Sequence, residues 1–305
     1  MCSIYNFFKV VDNMEICSEI EICSEIEIIR LRDQISQKCV ICGPVKNCGP
    51  YLNKVFENIE KIGSLFDEYV IIIYYDNSSD NTLVILKQYQ QKNNRLKFYV
   101  NTDKVSKYRT HNISKARNFC INTIQRDYKD FPYFIMMDFD DPNSKKVNTD
   151  VLKKYLNRED WDSLSFNTSP SYYDIWALSI HPYCFSYNHF KENVKNYYII
   201  QKYVQDKLKA LNDGDLLPCI SAFNGFAIYR TNSIKNCYYD GKIRLDIIPK
   251  NFILNHILAS KSPIIFKDYG NVDGRYEDCE HRAFHAMMIK RNDGKIRISK
   301  DVMFS

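Results

Sequence analysis

Glycine is scarce in this chain, and a strong excess of either charge is absent. Only 9 of the 305 residues are glycine, and 42 lysines and arginines against 37 acidic residues leave a net charge of +5. A domain that grips a nucleic-acid backbone usually carries a stronger, clustered basic excess, so we expect no nucleic-acid partner. No run approaches the 18 or so apolar residues that a membrane span requires, and no secretory signal is visible.

The 11 cysteines are odd in number and follow no repeating framework. Together with the missing signal, this pattern predicts a soluble, cytoplasmic protein with reduced thiols. Cys39 and Cys42, with Cys48 nearby, could begin a zinc site, but no second CxxC or HxxxH pair completes it. The residues from Cys39 to Val45 are more typical of a buried strand.

The first 36 residues differ from the rest. The hexapeptide EICSEI occupies residues 15–20 and is repeated without change at 21–26, a period that fits neither a helix nor a heptad. We expect residues 1–36 to form a surface or partly flexible extension. A partner-binding segment is the alternative.

From residue 38 onward, short apolar runs alternate with stretches of helical periodicity. Predicted strands lie at 38–43, 69–75, 96–100 and 133–137, and predicted helices at 52–62, 82–90 and 113–124. This alternation predicts an α/β fold with an open, mostly parallel, Rossmann-like central sheet flanked by helices. After residue 142, predicted helices at 152–156 and 190–211 and strands at 161–166 and 221–229 extend that sheet. The proposed boundaries are 37–145 and 146–305, two halves of one domain.

Carboxylates follow two of the predicted strands directly. Asp76 comes after the second strand, and Asp138, Asp140 and Asp141 come after the fourth. Ligands of open α/β sheets bind at the carboxyl ends of the strands. Clustered carboxylates there suit a hard divalent cation, Mn²⁺ or Mg²⁺, that bridges to phosphate oxygens. Arg117, on the helix before the fourth strand, could approach a diphosphate or orient the acidic loop.

Five motifs in this order resemble a nucleotide-sugar-dependent glycosyltransferase of the GT-A fold, similar to family 2. They span residues 76–285 and are as follows: D-x-S-x-D-x-T at 76–82, SKARN at 114–118, MDFDD at 137–141, NGFAIYR at 224–230, and YEDC at 276–279. Residues 109–118 and 173–176 are also similar to fungal capsule-type α-1,3-mannosyltransferases, which have relatives in giant viruses. A viral chain would act in the host cytoplasm or in the virion.

The resemblance implies roles on the donor side. Asp76 would hydrogen-bond the nucleobase, and Asp80 belongs to the same donor-binding motif. Asp138 would contact the ribose or the metal, and Asp140 would ligate the metal with support from Asp141. Arg117 would assist the charge on the diphosphate or position Asp76. Gly225 would bind the nucleotide-sugar from the fold's glycine loop, which lies beside the acceptor.

The resemblance also implies roles on the acceptor side. Asp278 or Glu277 could act as a general base if the enzyme inverts the anomeric centre. If it retains, the pair would position the acceptor or sugar, and a plain helix N-terminal charge is the structural alternative. His281, four residues before His285, could join the metal ligands. Three further residues could line the acceptor or could be core: Tyr173, Asp174 and Trp176.

The predicted function is therefore transfer of a hexose from a UDP- or GDP-linked sugar to a hydroxyl of a glycan, protein or small-molecule acceptor. A non-catalytic binding protein that keeps the fold as a scaffold is one alternative. A sugar nucleotidyltransferase is another, but it would need a glycine-rich, arginine-containing loop after the first strand. The sequence GPVKN at 43–47 is not such a loop.

Overall fold

A computed structural model describes residues 37–103, 106–185, 189–264 and 277–305 of the chain. The expected extension at residues 1–36 lies outside the described residues, as does Tyr276 of the YEDC motif. Residues Lys38–Ser305 form one compact unit. In the part of the chain described, no helix combines the length and the apolar character needed to cross a bilayer.

The described strands form one sheet. They are β1 (Lys38–Val45), β2 (Glu68–Tyr75), β3 (Leu96–Val100), β4 (Tyr133–Met137), β5 (Ser163–Asn167), β6 (Leu216–Pro218), β7 (Phe226–Arg230) and β8 (Ile296–Val302). Their order across the sheet is β3-β2-β1-β4-β7-β5-β8-β6. The first four strands pair in parallel, whereas β7 is antiparallel to both of its neighbours. The predicted α/β class and mostly parallel central sheet are confirmed.

Helices cover both faces of the sheet. They are α1 (Gly49–Gly63), α2 (Thr82–Lys92), α3 (Arg109–Asp127), α4 (Asp141–Ser144), α5 (Thr149–Leu156), α6 (Asn193–Lys209), α7 (Lys250–Ser260) and α8 (Glu280–Asn292), with a 3-10 turn at Thr231–Ile234. Every residue of β4 is buried, as expected for a strand with helices packed on both sides.

Alternation along β1 explains why its two cysteines do not form a metal pair. Side chains of neighbouring strand residues point to opposite faces of a sheet. Cys39 accordingly packs in the core cluster on one face with Ile41, and Cys42 packs on the other face with Val40. Burial raises the pKa of both thiols well above the usual range, so the strand interpretation is confirmed.

The second half departs from the predicted elements in detail. The strand expected at 221–229 begins only at Phe226, because Asn224 and Gly225 have positive φ angles of 58° and 81° that break extended structure. Three elements had no sequence prediction: β6, α7 and β8. Strands β8 and β6 follow β5 across the sheet and complete its far edge, and α7 packs on the cluster around Phe185.

Candidate functional site

Asp76 lies at the carboxyl end of β2 and is held in place on two sides. Lys46, just after β1, donates from Nζ to Asp76 Oδ2 at 3.0 Å, and Asn101, just after β3, donates from Nδ2 to Oδ1 at 3.0 Å. Burial alone would raise the pKa of Asp76, but these two hydrogen bonds outweigh it and the pKa is lowered. The side chain is therefore a fixed carboxylate at the sheet edge.

Asp138, at the end of β4, is bound by a buried arginine of helix α3. Arg117 donates from one terminal nitrogen to Asp138 Oδ1 at 2.9 Å, and from Nε to Glu280 Oε1 at 2.9 Å. Burial alone would lower the pKa of Arg117, but the charges of Asp138 and Glu280 raise it. The guanidinium also lies over the ring of Phe223, 4.5 Å from its centroid. Arg117 thus links the acidic loop after β4 to the first residue of α8.

Asp140 has a buried oxygen, Oδ1, for which the described residues provide no hydrogen-bond partner. Burial, followed by the negative charge of Asp138, raises the pKa of Asp140 to about 7. A cation beside this oxygen would offset both effects, and oxygen ligands suit Mn²⁺ or Mg²⁺. Asp138 and Asp140 therefore fit a divalent cation that takes its remaining ligands from phosphate and water.

The loop before β7 closes the acidic site from the other side. Gly225 accepts at its carbonyl oxygen from the backbone N–H of Asp138 at 2.9 Å and from Asn143 Nδ2 at 2.7 Å. A Cβ atom at Gly225 would lie 2.4 Å from the Tyr173 hydroxyl oxygen, so Tyr173 reaches the same place. Burial and the charge of Asp138 raise the pKa of Tyr173. Gly225 and Tyr173 thus border the acidic loop.

Asp80 is exposed and binds backbone groups. Its carboxylate accepts from the N–H of Gly49 at 2.9 Å and from the N–H of Thr82 at 3.0 Å. These amides begin helices α1 and α2, so Asp80 joins two helix starts beside the sheet edge. Its predicted role in donor binding stays a prediction.

The carboxylates of Glu277 and Asp278 lie in different surroundings. Asp278 is buried and accepts from Arg282 Nε at 2.9 Å. Burial is the largest single effect and would raise its pKa, but Arg282, His189 and the backbone N–H of Cys279 together outweigh burial, so the pKa is lowered. Glu277 is partly exposed and accepts from the Thr110 hydroxyl at 3.0 Å. The structure therefore gives Asp278 a buried ion pair and leaves Glu277 as the accessible carboxylate of the motif.

The two histidines of α8 lie in the core. His281 stacks on Phe223 with ring centroids 3.8 Å apart, and His285 is hydrogen-bonded at Nδ1 to Ser221 (3.0 Å) and at Nε2 to Tyr229 (3.1 Å). No group of three or more His, Cys, Asp or Glu side chains that could hold a metal ion occurs among the described residues. The structure therefore does not join His281 to Asp138 and Asp140 in such a group.

Asp174 and Trp176 follow Tyr173 in one turn. Asp174 accepts at Oδ1 from the N–H of Ala177 at 3.1 Å, and burial raises its pKa to about 6. Asn224 accepts at Oδ1 from the N–H groups of Tyr173 (3.2 Å) and Asp174 (3.0 Å), which ties this turn to the Gly225 loop. Trp176 is partly buried, and Arg109 lies 5.9 Å from its ring centroid.

The family of the chain follows from its sequence match. Residues 40–229, more than half of the chain, match the Glycosyl transferase family 2 domain. The chain belongs to glycosyl transferase family 2. The matched region includes Asp76, Arg117, Asp138, Asp140 and Gly225, and it ends before helix α8. The comparison with curated proteins found no match.

Solved structures of glycosyltransferases resemble this family 2 chain distantly. TarS 1–349 from S. aureus has a TM-score of 0.42 and 15% identity, covering 88% of this chain and 59% of its own. The mannosyltransferase PcManGT from Pyrobaculum calidifontis, in complex with GDP-Man and Mn²⁺, has a TM-score of 0.39 and 12% identity, covering 67% and 48%. Glucosyl-3-phosphoglycerate synthase from Mycobacterium tuberculosis has a TM-score of 0.39 and 10% identity, covering 68% and 60%. The chain spans less than two thirds of the length of each protein.

Sequence reasoning missed Glu280, the second carboxylate bound by Arg117. The only sequence signal was its place three residues after Glu277, where an acidic residue in a first helical turn is usually a favourable partner of the helix dipole. Burial raises the pKa of Glu280 and Arg117 opposes that rise. The pairing joins residues 163 positions apart, a contact that no local pattern predicts.

Proposed function

We propose that this family 2 chain transfers a hexose from a UDP- or GDP-linked sugar to an acceptor hydroxyl, with Mn²⁺ or Mg²⁺ held at Asp138 and Asp140. The observation that carries the proposal is the set of carboxylates at the carboxyl ends of parallel strands. Asp76 follows β2 and Asp138 follows β4, and β1 lies between these strands. Two strand spacings separate them by about 10 Å, a distance that a nucleoside can span.

The donor side rests on Asp76. Its lowered pKa keeps it ionised at neutral pH, so it offers an acceptor oxygen to an N–H of the base. Lys46 and Asn101 hold the carboxylate before any ligand arrives. A group that is already oriented loses little conformational freedom on binding, so these two contacts support donor affinity.

The metal side rests on the acidic loop after β4. Asp140 offers the buried Oδ1, and Asp138 is oriented by Arg117. A divalent cation bound there would neutralise the charge that develops on the departing nucleoside diphosphate. Arg117 lies deep enough to act mainly by positioning Asp138, since two carboxylates already share its charge.

The acceptor side would lie across the Gly225 loop. Tyr173 reaches the loop at Gly225, and Asn224 ties the Tyr173–Asp174 turn to it. An aromatic face beside a hydroxyl-binding acid suits a sugar or another polyol. Glu277 is the carboxylate that we propose for proton removal from the acceptor if the reaction inverts, because Asp278 is committed to Arg282.

A thermal-shift panel tests the proposal directly. UDP-, GDP- and CMP-sugars, including GDP-mannose, are each measured with and without Mn²⁺. A ligand at about 100 times its dissociation constant should add about 2.7 kcal/mol to the free energy of unfolding. We expect a shift that requires both one nucleotide and the metal.

Release of nucleoside diphosphate from that donor then separates an enzyme from a scaffold. Slow hydrolysis of the bound donor, or transfer to an added acceptor, supports the transferase. Donor binding with neither reaction across an acceptor panel would favour a non-catalytic binding protein. No shift with any donor would contradict the proposed site itself.

A further inference from the structure

Helix α7 exposes an apolar stripe outside the candidate site. Leu254 and Leu258 are 55% and 65% exposed and lie four residues apart, on one side of the helix. Another side of α7 packs Ile253 and Ile257 into the core cluster around Phe185. A helix that is apolar around most of its circumference is normally buried. The exposed leucines therefore indicate a surface that contacts something apolar.

Lysines flank this stripe at both ends. Lys250 precedes Leu254 by four residues and so lies on the side of the leucines. Lys261 follows the last residue of the helix in a left-handed conformation, three residues after Leu258, and both lysines are exposed. Helix α7 contains no acidic residue. The backbone N–H of exposed Lys191 donates to the carbonyl of Pro263 at 3.0 Å, which brings a third lysine to the C-terminal end of α7.

Helix α6 continues the apolar surface. It begins at Asn193, two residues after the contact between Lys191 and Pro263, so its first turns lie beside the end of α7. Val194 and Tyr198 are 66% and 64% exposed and again lie four residues apart. Two neighbouring helices thus expose apolar residues near the same group of lysines.

We propose that these helix faces dock on the surface of an anionic lipid bilayer. The leucines would enter the boundary between headgroups and acyl chains, and the lysines would contact the anionic headgroups. Charge complementarity selects this partner, because lysines precede and follow the leucines, α7 carries no acidic residue, and the nearby Glu192 is paired with Lys195 at 3.0 Å. A second copy of this chain fits less well, since the same lysines would face each other across the interface.

The location of this surface connects it to the candidate site. The Tyr197 hydroxyl on α6 donates to the backbone oxygen of Tyr173 at 3.4 Å. Tyr173 in turn borders the Gly225 loop. Docking would therefore hold that side of the protein at the water–lipid interface. The proposal concerns binding alone and does not depend on transferase activity.

Co-sedimentation of the full chain with vesicles tests the proposal. We expect binding to an equal mixture of phosphatidylcholine and phosphatidylglycerol, and little binding to phosphatidylcholine alone. Raising the salt from about 0.1 M to about 1 M shortens the screening length from about 10 Å to about 3 Å and should weaken binding. The combined Leu254→Ser and Leu258→Ser variant should partition at least tenfold less.

Matched variants on helix α2 provide the controls. Val84 is 54% exposed, so Val84→Ser removes a similar apolar group from another surface and should bind like wild type. Lys250→Gln and Lys261→Gln should each weaken binding about fivefold, whereas Lys87→Gln and Lys92→Gln should not. Thermal midpoints near the wild-type value show that each variant folds.

Three results would overturn the proposal. One is wild-type protein that stays in the supernatant with anionic vesicles. Another is binding that the leucine and lysine variants leave unchanged. The third is a dimer, detected by light scattering, that dissociates in the leucine variant, because the occupant of the surface would then be a second copy.

Discussion

Arg117 contacts carboxylates from two distant parts of the chain, Asp138 after β4 and Glu280 in α8. The attraction within a buried ion pair is largely offset by the cost of removing both charges from water, so the pair adds little net stability. Removing one partner, however, leaves a buried charge uncompensated. Glu280 and Asp138 hold the guanidinium of Arg117 from two sides, and Arg117 in turn orients Asp138. Asp140, beside it, has an oxygen without a partner among the described residues.

Replacing Glu280 tests the positioning role of Arg117. Glu280→Gln keeps a hydrogen-bond acceptor but removes the charge, so Arg117 is left with Asp138 as its carboxylate partner. We expect a loss of about 2 kcal/mol in the free energy of unfolding, below the 3–5 kcal/mol typical of breaking such a pair outright. We also expect that a higher Mn²⁺ concentration is needed to reach half of the maximal thermal shift caused by the donor. Urea denaturation and Mn²⁺ titration measure these two effects.

The exposed pair of Lys202 and Asp206 provides the control for Glu280. Its members are 77% and 56% exposed, so Asp206→Asn should change stability by less than about 0.5 kcal/mol. Equal effects of the two substitutions would refute the special role of Glu280. An unchanged Mn²⁺ midpoint in Glu280→Gln would limit that role to stability.

Asp140→Asn should abolish metal-dependent donor binding without harming the fold. The wild-type carboxyl is buried, and its pKa is raised to about 7, so the neutral amide removes an unfavourable charge from the metal-free protein. We expect an equal or higher thermal midpoint without ligand and no Mn²⁺-dependent shift with the donor. Wild-type donor binding by this variant would show that Asp140 is not a metal ligand.

The loop between β6 and β7 joins the acidic loop after β4 to the turn at Tyr173 and Asp174. Gly225 accepts a hydrogen bond from the backbone of Asp138, and its φ angle of 81° suits glycine. Asn224 holds the Tyr173 turn through its side-chain oxygen. The contact between the acidic loop and the Tyr173 turn therefore depends on a backbone conformation that most other residues would adopt only with strain.

Substitutions at two glycines with nearly the same φ angle distinguish the cost of backbone strain from the cost of steric crowding. Gly214 has a φ angle of 82°, and a Cβ there would be 3.7 Å from its nearest neighbour, whereas at Gly225 the Tyr173 hydroxyl would be 2.4 Å away. Gly214→Ala should cost about 1 kcal/mol of stability from backbone strain alone. Gly225→Ala should cost about 1–3 kcal/mol more, as overpacking does, and should weaken donor binding.

Urea denaturation and the donor thermal shift measure both glycine variants. The combined Gly225→Ala and Tyr173→Phe variant removes the crowding hydroxyl and should recover part of the lost stability. Equal costs at Gly214 and Gly225 would show that the close approach of Tyr173 does not constrain the loop.

For the molecule as a whole, buried histidines predict how stability depends on pH. Burial lowers the pKa of His285 from 6.5 to about 3, because the charged ring is disfavoured between Ser221 and Tyr229. Protons therefore bind preferentially to the unfolded chain below pH 6.5, and stability is lost as the pH falls toward 3. Between pH 6.5 and 5 this one residue should cost about 2 kcal/mol.

His285→Gln isolates that contribution, since it keeps polar groups beside Ser221 and Tyr229 but does not titrate. Denaturation curves at pH 7 and pH 5 give the change for each protein. We expect the wild type to lose about 2 kcal/mol more than the variant over this interval. The same loss in both would mean that the pKa of His285 is the same in the folded and the unfolded chain.

Local patterns predicted the first half of the fold well. The strands at 96–100 and 133–137 and the helix start at Thr82 coincide with the structure. The strand at 133–137 is a continuous apolar run because every residue of it is buried, whereas the strand at 96–100 lies at the edge of the sheet and is mostly exposed. The second half was predicted less well. Helix α7 is apolar on several sides and so shows weak helical amphipathicity, and the turn at Asn224 and Gly225 lies inside an otherwise strand-like run.

The sequence by itself determined the α/β class, the carboxylates at the ends of β2 and β4, and the resemblance to glycosyl transferase family 2, whose domain matches residues 40–229. These features depend on residues that are close in the chain. Only the tertiary structure decided that Arg117 pairs with Glu280 and that Asp278 belongs to Arg282. Burial and charge pairing arise when distant segments pack together. The position of a carboxylate after a strand can therefore be read from the adjacent residues in the sequence, whereas its environment cannot.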